Sequence, residues 1–374
     1  MQSVPEISNL DFKNNFYKKN KPLLILNGAR SWPALQKWSF EYLNEVVGDI
    51  PIVLNLFEHF PHEMRRTILP KMTMKQAIQL MENNKEPTHT YYILRDPIIN
   101  SSPTLWKDLE KPSWVEDVFF STDLWFGSEN NITPIHFDAV DNFLVQIMGE
   151  KKVILYDHLE TILIYPHSLH TGGRFNFSEI SSRKFLSKDG RFPEFYKATT
   201  YEVDLKPGNV LYIPPGWWHE VHTYEKPAAS ITFFFNKREF SSFSWRFLGY
   251  QSCRLHEIME EETRSIIYFS NYTTSFDNIS KLLEKKQYWL AIVLLGTLLE
   301  NLVRIWVQNP IIGFFDTLKN SEEPNCQKLI SHPKWQYWLS IFKLAHQEDN
   351  QKLSQLDLNP FVTDILNYIR AEIN

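Results

Sequence analysis

The residues in this sequence that are best suited to chemistry are two histidines and one aspartate, which lie far apart along the chain. His136 and Asp138 are separated by one residue in a β-prone segment, so on a strand their side chains point to the same face. His219 follows residues 214–216, two prolines and a glycine that hold the backbone rigid. If the fold brings them together, two imidazoles and one carboxylate cover one face of an octahedral metal ion, an arrangement typical of iron(II) sites.

Each part of this pattern also has a plainer explanation. A histidine two residues before an aspartate is common by chance, and the rigid segment could serve folding alone, with His219 capping a turn. His222 is a second candidate, but its odd offset from His219 would turn it to the opposite face of an extended segment. The sequence predicts a metal site at His136, Asp138 and His219 and leaves these alternatives open.

The sequence also predicts an anion site beside the metal. Iron that activates O2 needs a partner such as 2-oxoglutarate, which chelates through one end and presents its far carboxylate to the cavity. Lys151 begins the strand after Gly149, and a lysine aimed into an apolar barrel is costly unless an anion meets it. The hydroxyls of Thr133 and Tyr92 could share that carboxylate. Adjacent residues of a strand face opposite sides, but this alternation does not show whether Lys151 or Lys152 is the one that points inward. The sequence therefore leaves open whether Lys151 faces the cavity or water.

These residues belong to a series of short β-prone runs that extends from about residue 118 to 237. Turn-forming residues separate the runs, which indicates an all-β sandwich or barrel. We expect residues 143–148 and 152–156 to form a hairpin about Gly149. Five aromatic residues in this region would either line the site or form part of the hydrophobic core: Trp125, Phe137, Phe143, Phe233 and Phe235.

Helical patterns flank the β-rich segment on both sides. The N-terminal lead-in contains a helix that Ser39 would cap. The C-terminal patterns cover residues 254–270, 277–308, 325–347 and 359–372. We therefore predict one domain at 1–240 and an α-helical domain at 241–374 that mediates dimerisation or binds substrate. The most apolar pattern, 277–308, fits either a pair of dimer helices or a buried core helix.

Composition narrows the classes of function. Apolar residues make up 43% of the 374 residues, which excludes global disorder, and two cysteines without a CxxC pattern exclude a disulfide framework and a thiolate zinc site. A net charge of -5 argues against a protein that coats nucleic acid. The N-terminus has no signal pattern, and the apolar run at 289–299 is too short to cross a bilayer. We expect a cytoplasmic protein without membrane contact.

Together the motifs resemble those of the JmjC, or cupin-like, 2-oxoglutarate oxygenases over about residues 15–237. Within this group the chain is most similar to the asparaginyl hydroxylase of the hypoxia-response pathway and its bacterial relatives. The resemblance is carried by Thr133 to Asp138, Asn142-Phe143, Gln146, Gly149, Lys151, Pro207-Gly208 and Trp217-Trp218-His219, and by the lead-in motifs Lys21-Pro22 and Trp32-Pro33. The chain departs from the hypoxia-pathway enzyme at Phe234 and Asn236, where that enzyme carries Asn and Trp.

The resemblance implies a double-stranded β-helix, the jelly roll of cupins, between a helical lead-in and a helical C-terminal region. It implies iron(II) ligands at His136, Asp138 and His219. It implies 2-oxoglutarate contacts at Lys151, Thr133, Tyr92 and Asn142. The implied activity is hydroxylation of a protein or peptide side chain with O2, and by analogy the C-terminal helices would form a homodimer.

Several alternatives remain open at this point. The same chemistry could act on a tRNA base or on a small molecule or peptide product, and hydroxylation could lead on to demethylation. A metal-dependent cupin that uses no 2-oxo acid would not need the cation and hydroxyl at Lys151 and Thr133. A non-catalytic binding module would not need an intact metal triad.

Overall fold

A computed structural model of the chain describes residues 3–4, 7–60, 64–115, 119, 121–138, 140–167, 176–186, 192–224, 227–237, 279–284, 286, 288–307, 318, 321–346, 353 and 355–373. The chain forms two compact units, one from residues 1–165 and 176–237 and the other from 166–175 and 238–374. Within the described part of the chain, no helix combines the length and apolar character that a membrane span requires.

The first unit is built on two sheets that face each other. Its strands are β1 (Ser3–Val4), β2 (Leu23–Ile25), β3 (Pro51–Ile52), β4 (Leu54–His59), β5 (Met64–Ile68), β6 (Met72–Thr73), β7 (His89–Asp96), β8 (Ser121–Gly127), β9 (Ile132–His136), β10 (Val140–Met148), β11 (Lys151–Tyr156), β12 (Thr200–Leu205), β13 (Val210–Ile213), β14 (Trp218–Thr223) and β15 (Ala228–Lys237). Nine strands form the larger sheet in the order β1-β2-β13-β10-β15-β8-β7-β4-β5, four form the smaller sheet in the order β12-β11-β14-β9, and β3 pairs with β6. The predicted jelly roll is confirmed.

Apolar side chains of both sheets meet in the space between them. Leu144 and Leu211 from the larger sheet pack with Val153 and Leu155 from the smaller one. Because alternate residues of a strand face opposite sides, the neighbours of these residues point away from this space. The inner faces of the two sheets therefore enclose a largely apolar interior.

The outer face of the larger sheet is covered by the N-terminal helices. These are α1 (Asn9–Phe12), α2 (Ala34–Lys37), α3 (Phe40–Val47), α4 (Met74–Glu82), α5 (Ile98–Ser101) and α6 (Pro103–Lys107), with a π-helical turn at Lys13–Tyr17. The predicted cap is confirmed, since the Ser39 hydroxyl accepts a hydrogen bond from the backbone N–H of Tyr42. Phe143, Phe233 and Phe235 pack in this outer core.

The expected hairpin of residues 143–148 and 152–156 is wrong. The strand β10 pairs with β13 and β15 in the larger sheet, whereas β11 pairs with β12 and β14 in the smaller one. The chain crosses from one sheet to the other at Gly149, whose φ is +67°. A Cβ at this position would lie 2.3 Å from the carbonyl oxygen of Pro227, so the turn requires glycine.

The described part of the second unit is helical. It contains residues 279–284, α7 (Tyr288–Val307), α8 (Pro324–Ile330), α9 (Trp335–His346) and α10 (Asn359–Ile373). The helix α7 packs against α8, α9 and α10, and its residues 291–300 are all buried within one chain, which favours the buried-core alternative for this segment. The pattern at 325–347 forms two helices because Pro333 cannot donate a backbone hydrogen bond. The predicted helix 254–270 lies outside the described residues.

Candidate active site

Strand pairing in the smaller sheet brings the two histidines together. His136 on β9 pairs directly with His219 on β14, and their ring centroids lie 4.2 Å apart. The Nε2 atom of His219 is 3.9 Å from Oδ2 of Asp138, and one ligand atom from each of the three residues lies within 4.8 Å of the others. The strand β9 ends at His136, so Asp138 lies two residues beyond the strand, and its side chain lines the same cavity as the two histidines.

Backbone carbonyls set the orientation of both imidazole rings. Nδ1 of His136 lies 2.8 Å from the carbonyl oxygen of Pro134, and Nδ1 of His219 lies 3.0 Å from that of Trp217. Since a carbonyl oxygen only accepts hydrogen bonds, each Nδ1 carries the proton and each Nε2 keeps its lone pair. Burial, with a contribution from His136, lowers the pKa of His219 to about 4. The ring is therefore neutral at physiological pH, as a metal ligand must be.

The donor set of this site fits iron(II). Two neutral imidazole nitrogens and one carboxylate oxygen converge from one side. This is the set that non-haem iron(II) centres use, and it leaves the opposite side of the ion for other ligands. Thiolates, which would favour zinc or an iron–sulfur cluster, do not take part in this group.

A segment that the sequence did not predict as part of the site, residues 176–182, lies along the free edge of β9. We call it the strap. The backbone N–H of Phe137 donates to the carbonyl of Asn176, and that of Ile135 donates to the carbonyl of Ser181. The ring of Phe177 stacks on His136 with centroids 5.3 Å apart and planes 17° apart. The strap thus holds both the backbone and the ring of the first predicted ligand.

The far end of the strap is anchored at Glu220, a fully buried carboxylate on the outer face of β14. It accepts hydrogen bonds from the hydroxyls of Tyr156 and Ser182 and lies 2.8 Å from Nε2 of His222. Burial acts to raise the pKa of Glu220, but these hydrogen bonds outweigh it and hold the pKa below its usual value. His222 therefore lies on the face opposite His219, as the alternation of the strand predicted.

The three predicted metal ligands line a cavity of about 360 Å³, a volume that includes its open mouth. The cavity brings together all seven residues that the resemblance implied as metal ligands or 2-oxoglutarate contacts, whereas of the five aromatic residues named as possible walls only Trp125 lines it. Its lining residues are Tyr92, Trp125, Thr133, His136, Asp138, Asn142, Leu144, Lys151, Ile213, His219, Val221 and Thr232. Leu144, Ile213 and Val221 give it apolar walls.

Lys151 points into this cavity and not to water. It is 1% exposed, and its Nζ donates to the hydroxyl of Tyr92 at 3.1 Å. None of the acidic side chains that the structure describes forms an ion pair with it. Burial of the uncompensated charge lowers the pKa of Lys151 to about 7. Lys152, by contrast, reaches Glu202 on the outside of the sheet at 3.2 Å.

The other predicted cosubstrate contacts surround this lysine and the metal ligands. Burial raises the pKa of Tyr92, an effect that a hydrogen bond with Thr133 opposes in part, so the phenol keeps its proton at physiological pH. Asn142 lines the cavity at the end opposite Lys151 and Tyr92. Its Oδ1 is buried without a hydrogen-bond partner among the described residues. A water or a bound molecule must supply that partner.

Two cavity residues with hydrogen-bonding side chains, Trp125 and Thr232, had no role in the sequence-based prediction of the site. The indole Nε1–H of Trp125 donates to the hydroxyl of Thr232 at 2.9 Å, and both side chains line the cavity. Thr232 stands between two apolar residues of β15 that face the outer core, Ile231 and Phe233. That alternation could have revealed its inward position from sequence.

A model of the cupin-like domain matches residues 9–241. The chain belongs to the cupin-like domain family. The matched segment contains the strap, the predicted metal ligands and every cavity residue.

Curated proteins similar to this cupin-like chain carry three kinds of name. Jumonji C domain-containing protein 5 of Drosophila melanogaster is 27% identical over 234 residues, which cover 60% of this chain and 56% of that protein. Lysine-specific demethylase 8 of Xenopus tropicalis is 27% identical over 222 residues, covering 57% and 48% respectively. The tRNA wybutosine-synthesizing protein 5 of Homo sapiens is 27% identical over 237 residues, covering 59% and 72%. The chain spans about half the length of the first two relatives.

These similarities confirm the resemblance to JmjC oxygenases that the motifs indicated. The chemistry of this group depends on iron(II) and 2-oxoglutarate and makes its members oxidoreductases. The group of two buried histidines and one partly buried aspartate in the cupin-like unit fits that dependence.

Proposed function

We propose that this cupin-like protein is an iron(II)- and 2-oxoglutarate-dependent hydroxylase that acts on a protein side chain. One observation carries the proposal: the triad and the buried, uncompensated Lys151 line the same cavity. When bound, iron(II) and 2-oxoglutarate supply the oxidant, as O2 and 2-oxoglutarate give CO2 and succinate, with one oxygen atom entering succinate and the other a C–H bond of the substrate.

His136, Asp138 and His219 are the proposed metal ligands. The two carbonyl contacts fix which nitrogen of each ring faces the ion, and the ring of Phe177 restrains His136 further. These contacts set the ligand geometry before the metal arrives, so that metal binding requires little rearrangement of the side chains.

Lys151, Tyr92 and Thr133 are the proposed contacts of the far carboxylate of 2-oxoglutarate. The ammonium of Lys151 and the hydroxyl of Tyr92 are already within hydrogen-bond distance of each other, so a carboxylate between them would accept from both. An entering anion also compensates the charge whose burial lowers the pKa of Lys151. Asn142 is proposed to contact the cosubstrate nearer the metal.

The preference for a protein substrate rests on charge and on the relatives. The net charge of -5 is unfavourable for binding a polyanion. Two relatives have demethylase or Jumonji names, and a third is named for tRNA wybutosine synthesis. Hydroxylation of an N-methyl carbon followed by loss of formaldehyde would give demethylation from the same centre, so the product distinguishes the two outcomes.

The test is an anaerobic absorption titration of the iron(II)-loaded protein with 2-oxoglutarate. We expect a visible charge-transfer band in the wild type and in His89→Ala, which alters a histidine on β7 that is 30% exposed. The band should be absent in His136→Ala. Metal binding without a band would contradict the proposal and favour a cupin that uses no 2-oxo acid. Failure to bind metal at all would favour a non-catalytic module.

A further inference from the structure

The two ends of the cavity differ in how far their residues are exposed to solvent, and this difference indicates the end at which substrate enters. Strand pairing places Tyr92 opposite Gly127 at one end, and Asn142 opposite Phe234 at the other. Lys151, at the first end, is 1% exposed. The side chain of Asp138, which precedes β10 near the second end, is 25% exposed. The exposure of Asp138, a cavity-lining residue, indicates that the cavity opens at this second end, and we take a substrate to approach the metal ligands from that side.

Arg95 does not line the cavity itself, but it lies over the ring of Phe234, the strand partner of the cavity-lining Asn142 at this end. Nε of Arg95 lies 2.9 Å from Oδ2 of Asp123, and its guanidinium carbon lies 4.8 Å from the centroid of the Phe234 ring. Asp123 is itself buried, with a side chain 3% exposed, and also accepts from Ser121 at 2.7 Å. The Arg95 side chain is 54% exposed, and its two Nη groups donate to none of the described residues. The guanidinium is thus anchored on one edge and open on the other.

The backbone of β7 turns this arginine toward the cavity. Alternation counted from Tyr92, which faces the cavity, would direct Arg95 to the outer core. The register of β7 with β8 shifts between Ile93 and Asp96, and Arg95 has a φ of +51°. A non-glycine residue in this region costs about 1 kcal/mol or more, and such strain is often found at functional positions. Here its effect is to put a cation over the inward-facing Phe234.

We propose that Arg95 determines substrate specificity by binding a carboxylate of the polypeptide substrate, an Asp or Glu side chain close to the residue that is modified. The inference rests on the proposed function, because it takes the cavity as a hydroxylation site. The free Nη edge presents parallel N–H donors, a geometry that matches a carboxylate in two hydrogen bonds. The Asp123 anchor and the Phe234 ring hold this edge in place, so little side-chain entropy is lost when the carboxylate binds.

A single acidic side chain fits this site better than the backbone of a nucleic acid. Binding to RNA draws on several phosphate contacts. Asp123 compensates the charge of Arg95, so the site recognises one acceptor group by geometry and does not generate a strong positive field. The chain as a whole carries a net charge of -5.

The test uses three pools of fluorescent peptides with a randomised central residue and with flanking residues that are all Glu, all Gln or all Lys. Affinity for the iron(II)- and 2-oxoglutarate-loaded protein is measured anaerobically by anisotropy, and O2 is then admitted to detect the mass gain of one oxygen. We expect the wild type to bind the Glu pool roughly tenfold or more tightly than the Gln pool. Arg95→Glu should favour the Lys pool, and Arg95→Gln, which can still donate to Asp123, should lose the preference. Arg65→Glu makes the same charge change on the exposed strand β5 and should behave as wild type.

The outcomes separate this inference from the proposed function. Hydroxylated peptides without a preference for the Glu pool, or a preference that both Arg95 variants retain, would overturn the role of Arg95 and leave the hydroxylase proposal intact. Tighter binding of total tRNA than of any peptide pool would contradict the assumption of a polypeptide substrate, on which both the proposed function and this inference depend. The charge-transfer band recorded in the same samples shows whether the metal and cosubstrate are bound, so its absence identifies a failure of the proposed function itself.

Discussion

Lys151 shows how the position of one residue in the fold changes its chemistry. In water a lysine is charged up to about pH 10, but burial lowers the pKa of Lys151 to about 7. The adjacent Lys152 lies on the other face of the same strand and pairs with Glu202. Only the inward lysine is left without an acidic partner among the described residues, which is the state that an anionic ligand would stabilise.

Replacing Lys151 should weaken 2-oxoglutarate binding while the metal stays in place. We expect Lys151→Met to lower the affinity by about 30-fold or more, about 2 kcal/mol, because a buried carboxylate loses its charged partner. Methionine keeps much of the side-chain volume, which limits damage to packing. Lys152→Met is the matched control and should bind as wild type. The charge-transfer titration measures this, and equal affinities in the two variants would move the cation role to another residue.

The same lysine should make cosubstrate binding depend on pH. Above pH of about 7 the empty cavity holds neutral Lys151, and a carboxylate binds the ammonium form, so binding takes up a proton. The affinity should be flat below this pH and fall above it, approaching about tenfold per pH unit. Titrations between about pH 6 and pH 9 measure the slope. Lys151→Met should show no such fall, and a wild-type affinity independent of pH would contradict the assignment.

At the scale of elements, the strap connects packing to the metal centre. The edge strand β9 carries His136 and pairs on one side with β14. On its other side the strap supplies backbone hydrogen bonds, an aromatic ring over His136 and, through Ser182, a link to buried Glu220. An uncovered edge would leave both the N–H groups and the ring orientation less constrained.

Removing the ring of the strap should loosen the metal site. We expect Phe177→Ala to weaken iron(II) binding about two- to tenfold, since an aromatic pair contributes about 0.5–1.5 kcal/mol. Phe185→Ala removes a ring just beyond the strap that packs against His59, with centroids 5.8 Å apart, and serves as the control. Metal titration of both variants gives the comparison. If both variants lost iron(II) affinity equally, the ring of Phe177 would have no specific effect on the metal site, and the strap would only shield the edge of β9.

For the whole molecule, formation of a homodimer was one of the two roles that the sequence analysis offered for the C-terminal helices, beside substrate binding. In the helical unit, the largely apolar segment 291–300 of α7 is already buried in one chain, so a dimer would have to use other surfaces, such as the one around the exposed Tyr337. Light scattering of the full chain should give twice its mass of 44.4 kDa if the prediction holds. A mass of 44.4 kDa at every concentration would reject it.

Local patterns in the sequence identified the residue types and many of the elements. Alternation and turn residues located most strands of the β core, and the spacing of His136 and Asp138 indicated two ligands on one side. Ser39 was recognisable as a cap because capping depends on neighbours within one turn. Such features were accessible from sequence because each depends on residues only a few positions apart.

Tertiary structure decided which of the open alternatives applied. The pairing of His136 with His219 joins strands more than eighty residues apart, and no local pattern sets that register. Whether Lys151 faced the cavity or water depended on the sheet to which β11 belongs, and the crossing at Gly149 placed it in the smaller one. Arg95 lies over Phe234 only because a shift in the pairing register of β7 reversed the alternation of its side chains. The physical reason is common to all three: a strand offers two faces and many registers, and packing against distant parts of the chain selects among them.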